Sequence, residues 1–458
     1  MASFRNTAQT FQKNRPLLRQ IFKTWWPLAA SWLLMGVELP AINAVMARLA
    51  NPEINLAAYS GVVYPIALIV EAPIIMLLSA SVALSKDWAS YVKIRKFMWI
   101  TGITLTLLHI LVAFTPLYDL VMINILGVPQ EIIEPGRIGL MIMTPWTGAI
   151  AYRRFQQGVM IRFGHSKVVG AGTMVRLSAD GLVLLAGLLL GNIPGVVIGA
   201  LAQALGVVSE ALFVGWRVQP ILRNELKFAP PVAPLTWKAF FDFYIPLALT
   251  SLLTLVWNPI GSAAISRMPH ALDSLAVWSV VTGLIFMFRS GGIALNEVVV
   301  ALLDQKGTSQ GLRYFVTGIS VSLTLFYLIF AVTPLANFWF GTVSGLPADL
   351  AAMAKIGFWI GLPLPLLNVL QSWYQGAVLV SKKTRGIPES VVLFLITVTL
   401  VLGAGVVWGK VPGLYVGMVA FGLANLAQTI WLWVRSREIM KDVTQRDALA
   451  LETLQTAN

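Results

Sequence analysis

The sequence has no cysteine, which excludes disulfide cross-links, thiolate metal sites and cysteine nucleophiles. Histidine is almost absent as well. His109, His165 and His270 are far apart, and no HExxH or related pair occurs, so a metal-dependent hydrolase lacks its ligands. Neither a nucleophile–base constellation nor a glycine-rich phosphate loop is visible, so neither an enzyme nor a cofactor or metal site is expected. Charge is scarce: 12% of the 458 residues are Asp, Glu, Lys or Arg, against about one quarter in a soluble domain. What fills the chain instead is apolar, with 57% hydrophobic residues and 16 tryptophans. That composition predicts an all-α, multi-pass membrane protein whose main solvent is the bilayer.

A helix needs about 20 apolar residues to cross a bilayer. Twelve runs meet this length: 24–48, 57–85, 97–118, 137–161, 168–190, 194–216, 240–267, 275–303, 313–338, 352–380, 387–408 and 411–434. Lys and Arg are shared unevenly between the two sets of loops. The terminal segments and every second loop hold 24 of the 33, whereas the opposite loops hold only Arg48, Arg137, Arg267, Lys355 and Lys410. By the positive-inside rule both termini are expected in the cytoplasm and the protein in the cytoplasmic (inner) membrane. The net charge of +13 is therefore a topology signal. A nucleic-acid partner is not expected, whereas anionic membrane lipids are natural partners for the basic loops. Residues 1–23 are basic without a continuous apolar core; they read either as an interfacial helix or as a disordered tail.

Part of the chain is written twice. PLAASWLLMGVELPAINAVMAR (27–48) returns as PLALTSLLTLVWNPIGSAAISR (246–267). LAAYS at 56 returns as LAVWS at 275, AFTPL at 113 as AVTPL at 331, GVPQE at 127 as GLPAD at 345, and GNIPG at 191 as GKVPG at 409. A register held at 218–219 residues over most of each half predicts a duplication. Each half has six spans, an even number, so the repeats are expected to be parallel. The expected organisation is a basic N-terminal segment (1–23), an N-lobe (24–217), a cytoplasmic linker (218–239), a C-lobe (240–435) and a cytoplasmic tail (436–458), with a central cleft between the lobes. Pro40 and Pro259 fall mid-span in the first helix of each lobe and are expected to kink it.

Six plus six spans with a cytoplasmic linker resembles the superfamily of multidrug, oligosaccharidyl-lipid and polysaccharide exporters. Within it, WWPLA…ELPAINAVMAR…LAAYS, LLHILVAF and FYIPLAL…NPIGSAAISR are most similar to the progressive ankylosis (ANK) family, over about residues 20–435 of the chain. That resemblance implies export of pyrophosphate, citrate or nucleotide-type anions. The neighbouring multidrug and toxin extrusion (MATE) family exports organic cations against protons or sodium, using acidic residues on helices one and five. Here Glu38 and Asp180 match by helix and chemistry only, because the residues around them do not reproduce a MATE motif.

The ionisable residues inside spans are Glu38, Glu71, Arg153, Arg154, Arg176, Asp180, Glu210, Arg289 and Glu297. Each costs free energy and is expected to face the bundle interior or a wet cavity. Glu38, two residues before a kink proline and replaced by Trp257 in the second copy, is expected to stand unpaired and to carry the coupling ion, H+ or Na+. Asp180 shares that role unless Arg176, one turn earlier, simply pairs with it. Glu71 is a third candidate, and Glu210 reads as structural. Arg289 is the preferred anion ligand, since guanidinium stays charged and binds phosphate or carboxylate bidentately; the alternative is an ion pair with Glu297. Of Arg153 and Arg154 at most one is expected to point into the cleft; the alternative is that both snorkel to the interface. Asn43, Asn258 and Glu297 complete the substrate candidates, though the asparagines could instead hold helices together. His109 and Tyr327 occupy equivalent positions, where hydrogen-bonded packing competes with a proton relay. The leading expectation is a monomeric secondary transporter exporting small organic or phosphate-type anions by alternating access. The alternatives are a multidrug exporter of amphipathic cations and a lipid-linked oligosaccharide flippase.

Overall fold

The structure is a computed structural model. It describes the backbone of residues 2–231, 234–303, 305–381 and 385–456, and the side chains among them from residue 16 to residue 449. The first half of the chain forms α1 (Ala2–Met46), α2 (Pro52–Ala58), α3 (Tyr64–Glu71), α4 (Leu77–Leu84), α5 (Trp88–Phe114), α6 (Leu117–Asp119), α7 (Ile133–Ile142), α8 (Thr144–Arg162), α9 (Ser166–Leu190) and α10 (Gly195–Asn224). The second half forms α11 (Trp237–Leu255), α12 (Trp257–Ile265), α13 (Ala271–Leu302), α14 (Ser309–Val332), α15 (Leu335–Asn337), α16 (Ala348–Ile360), α17 (Leu364–Val380), α18 (Gly386–Trp408) and α19 (Gly413–Thr456). Eleven helical stretches of the described residues are long and apolar enough to cross a membrane. The run expected at 137–161 is not among them. It folds as α7 and α8 around the prolines at 135 and 145, and Arg153 and Arg154 interrupt its apolar face.

Helix breaks follow the proline chemistry unevenly. Pro40 sits inside an unbroken α1, whereas its counterpart Pro259 follows a break between α11 and α12. There the Asn258 side-chain amide donates to the Leu255 carbonyl at 3.1 Å, an acceptor near the end of α11. The expected span 57–85 is also broken: α3 ends at Glu71, and a turn through Pro73 leads to α4. Its counterpart α13 runs unbroken for 32 residues. The basic segment 1–23 is not a separate element, because α1 is helical from Ala2 through Met46. Likewise α19 continues through the expected tail boundary to Thr456.

The first helix of each half leans on the other half. Near the end of the bundle that holds the termini, Trp25 of α1 donates its indole N–H to the Gly291 carbonyl of α13 at 2.8 Å. The same ring lies edge-on to Phe315 at 5.7 Å, and Ile21 is fully buried among α13 and α14 residues. At the matching position of α11, Tyr244 donates its hydroxyl to the Pro73 carbonyl, and its ring lies edge-on to Phe97 at 4.9 Å. Elsewhere the same offset joins His109, whose Nε2 donates to the Leu140 carbonyl at 2.9 Å, to Tyr327, whose hydroxyl donates to the Phe358 carbonyl at 2.6 Å. His109 Nδ1 meets the Thr147 hydroxyl at 3.0 Å. Both ring nitrogens are thereby hydrogen-bonded inside the helix contact.

At the opposite end, two arginines clasp the halves together. Arg48, just beyond α1, donates to the carbonyls of Thr342 and Val343, the latter at 2.9 Å. Arg267, just beyond α12, donates to those of Ile125 and Leu126 at 2.7 and 2.6 Å. These carbonyls close the wide helical turns Leu120–Leu126 and Phe338–Val343, where acceptors lack intrahelical donors and a cation suits the helix end. Gly127 and Gly345 beside them have φ of +62° and +68°, and a Cβ would come within 3.0 Å of Arg267 and 2.9 Å of Arg48. Conformation and space both demand glycine there. Beneath the clasps, Ser279 donates to the Asn43 side-chain oxygen at 3.2 Å, and Ser262 donates to the Gly61 carbonyl.

Charge-assisted bonds of this kind are strong. With no native cysteine to label, a single Ser279→Cys reporter, 4% exposed, can follow opening of this end in detergent. Its reaction with a polar thiol reagent is expected to rise about tenfold or more in the Arg48→Ala, Arg267→Ala double variant and less in either single variant. Unchanged labelling would mean that the clasps do not hold this end shut.

Candidate functional site

Between the halves lies a cavity of about 340 Å³ with two chemically different walls. The first half contributes Glu38 of α1, Glu71 of α3, Arg153 and Arg154 of α8 and Arg176 of α9. The second half contributes Trp257 and Asn258 of α12, Trp278, Phe286 and Arg289 of α13 and Phe421 of α19.

The charged wall is a relay of ion pairs. Arg176 meets Glu38 at 3.0 Å and Glu210 of α10 at 3.7 Å. Glu210, fully buried, also accepts from Arg153 and, at 2.9 Å, from Gln157. Three helices are thus tied through one carboxylate. Asp180 stands apart from this chain. It is 3% exposed, lies against the Glu38 carboxyl group and near Arg176, and no N–H or hydroxyl donor reaches either of its oxygens among the described residues. It fits there only because residue 206 of α10 is glycine: a Cβ would sit 1.7 Å from Asp180 Oδ1 and 3.1 Å from Arg176 Cγ.

Among the described residues the aromatic wall holds one cation, Arg289. Trp257 stacks on Phe421 at 4.8 Å and lies edge-on to Trp278 at 6.0 Å. The Arg289 guanidinium lies 5.3 Å from the Phe421 ring, a cation–π distance. Arg289 Nε is buried without a partner, and no carboxylate lies within ion-pair distance of Arg289 or of Arg154 among the described residues. Glu71, 4% exposed, has one carboxylate oxygen in the same unpartnered state.

Several expectations need correction. Glu38 is not unpaired: Arg176 reaches across to α1 and α10 rather than along its own helix, so the Arg176–Asp180 ion pair is absent and Asp180 is the acid that no N–H or hydroxyl donor reaches among the described residues. Arg153 and Arg154 both line the cavity and neither snorkels; Glu210 anchors Arg153 inside. Glu297 is exposed on α13, does not line the cavity and does not pair with Arg289. Asn43 is fully buried in the contact between α1 and α13, outside the cavity. Asn258 does line it, though its amide is engaged with Leu255. The aromatic wall and the two clasps were not expected. A tryptophan mid-span at 257 hinted at the wall. Arginines at the ends of both repeated phrases, in loops almost free of basic residues, hinted at the clasps.

No protein-family model matches the sequence, and no curated protein matches it by sequence. Solved structures do match the fold. An inward-facing multidrug-resistance MATE family transporter of the MOP superfamily superposes with a TM-score of 0.68 at 15% identity, over 90% of this chain and 96% of its own. A MATE structure in a bent conformation gives 0.61 at 17% identity, over 94% and 98%. The lipid II flippase MurJ in an inward closed conformation gives 0.61 at 11% identity, over 93% and 92%. Over nearly its whole length, this all-helical chain therefore has the fold of MATE transporters and of the MurJ flippase.

Proposed function

We propose that the protein is a secondary transporter that exports small organic or phosphate-type anions by alternating access, with α7 and α8 together forming a twelfth crossing and both termini in the cytoplasm. The reading rests on Arg289, a buried guanidinium in the wall of the central cavity with no counter-ion among the described residues. An uncompensated buried charge is costly, and a transported anion would offset that cost each time it binds. Arg154, equally unpaired, completes a two-point grip. Asp180 carries the coupling ion, and Glu38 and Arg176 pass its occupancy to α1. Support for a transporter comes from the shared MATE and MurJ fold, which by itself leaves the cargo open.

Glu71 favours a second reading, an exporter of amphipathic cations, because its unpartnered oxygen faces the same cavity. The fold of MurJ raises a third, a lipid-linked oligosaccharide flippase, but a cavity of about 340 Å³ lies at the lower end for small-molecule sites and holds no large headgroup. The test uses purified protein in proteoliposomes loaded with pyrophosphate or citrate. Wild type is expected to release the anion faster under an imposed proton or sodium gradient, and Asp180→Asn to lose that acceleration. Absence of anion movement together with gradient-driven quenching of a cationic dye would replace this reading with the second.

A further inference from the structure

Each half of the chain carries a cationic, aromatic groove at the end of the bundle that holds the termini, and the two grooves use matching positions. In the second half the groove, about 580 Å³, lies between α14, α17 and α19 and presents Arg313, Arg437 and Lys441 with Trp373, Tyr374 and Trp433. In the first half the groove, about 330 Å³, lies between α5, α8 and α10 and presents Arg95, Arg223 and Lys227 with Trp88, Tyr91 and Trp99. The repeat offset of 218 carries Arg95 onto Arg313 and Arg223 onto Lys441.

None of these six cations has a carboxylate within ion-pair distance among the described residues. Several instead lie over rings: Arg437 is 4.0 Å from the Trp433 ring, Arg95 is 5.4 Å from Tyr91 and Lys227 is 5.3 Å from Trp88. The acids nearest in sequence do not line the grooves: Glu438 and Asp442 lie on α19 outside the second, and Glu225, between Arg223 and Lys227, turns to His165. Three unpaired cations around a groove walled by Trp and Tyr match the chemistry of the membrane interface. Beside each groove an apolar strip faces outward: Val434 and Ile430 on α19, and at the matching positions Trp216 and Leu212 on α10. A soluble phosphate would use the cations and leave these strips unused. A lipid uses both.

We infer that each groove is a binding site for the headgroup of an anionic phospholipid, with its acyl chains laid along the adjacent strip, so that one chain holds two such lipids at equivalent places. The site is separate from the central cavity and independent of what the cavity carries.

The test is native mass spectrometry of detergent-purified full-length protein titrated with dioleoyl phosphatidylglycerol or dioleoyl phosphatidylcholine. Wild type is expected to hold two phosphatidylglycerol molecules at saturation and to discriminate against phosphatidylcholine. Triple substitution of Arg313, Arg437 and Lys441 to Gln is expected to leave one, as is triple substitution of Arg95, Arg223 and Lys227 to Gln. Affinity at a groove should fall about fivefold for each cation removed. Arg313→Lys with Arg437→Lys keeps the charge and is expected to keep the lipid, which separates lost recognition from a damaged fold. Equal uptake of the two lipids, or an unchanged phosphatidylglycerol count in both triple variants, would overturn the inference. Complete displacement by millimolar inorganic phosphate would do the same and reassign the grooves to a soluble ligand.

Discussion

Replacing Arg176 with methionine is expected to destabilise the protein by about 3–5 kcal/mol, the usual cost of removing one partner from a buried ionic cluster. The reason is geometric. Arg176 is the one cation shared by Glu38 and Glu210, and it lies beside Asp180. Without it, three acids from three helices face one another, and only Arg153 and Gln157 remain to answer Glu210. Glu38→Gln should cost less, about 1.5–3 kcal/mol, because Arg176 keeps its contact with Glu210. Unfolding midpoints in detergent, read by tryptophan fluorescence for both variants and for Arg176→Lys, check the order. If Arg176→Met costs no more than Glu38→Gln, the arginine is not the hub of the cluster.

Arg289 should behave in the opposite way. The Arg289→Met variant is expected to be as stable as wild type or slightly more so, because it removes a buried charge that no carboxylate offsets and leaves an apolar side chain against Phe421. Its anion efflux should nevertheless fall by about 30-fold or more, since loss of one partner of a desolvated ion pair costs about 2–5 kcal/mol. Arg289→Lys should recover only part of the rate, as a point charge lacks the two-pronged guanidinium. The pairing of the two readouts is the discriminating measurement. A fall of several degrees in Tm alongside the lost transport would make Arg289 a structural residue. Unchanged efflux would remove it from the site.

Much of the architecture was legible because membrane helices announce themselves. Apolar runs of adequate length located eleven of the stretches now seen as long apolar helices, and inward charges were few enough to name one by one. Arg289, Arg154 and Glu71 could be picked out as cavity residues because a charge in a span has few stable places to go. Partners were not legible. Arg176 and Asp180 are four residues apart, a spacing that suits a helical pair, yet the arginine reaches α1 and α10 instead. A space opened by Gly206 decides where Asp180 sits, and nothing local to either residue reports on the other. Glu297 and Asn43 fail for a related reason. Their depth along a helix was readable, but the direction each faces depends on neighbouring helices; Asn43 meets Ser279, 236 residues away.

The leaning of α1 and α11 has a consequence for the chain as a polymer. Trp25 is buried only because Gly291 and Phe315 are present, and Tyr244 only because Pro73 and Phe97 are. Neither half therefore closes its own surface; each completes the other by exchanging an arm, as in a swapped dimer. On this geometry, two halves expressed as separate chains are expected to co-purify, held by the Trp25 and Tyr244 contacts. A polypeptide of half this length with the same arm would need a second copy to bury it, so the fold carries within one chain the geometry of an arm-exchanged dimer.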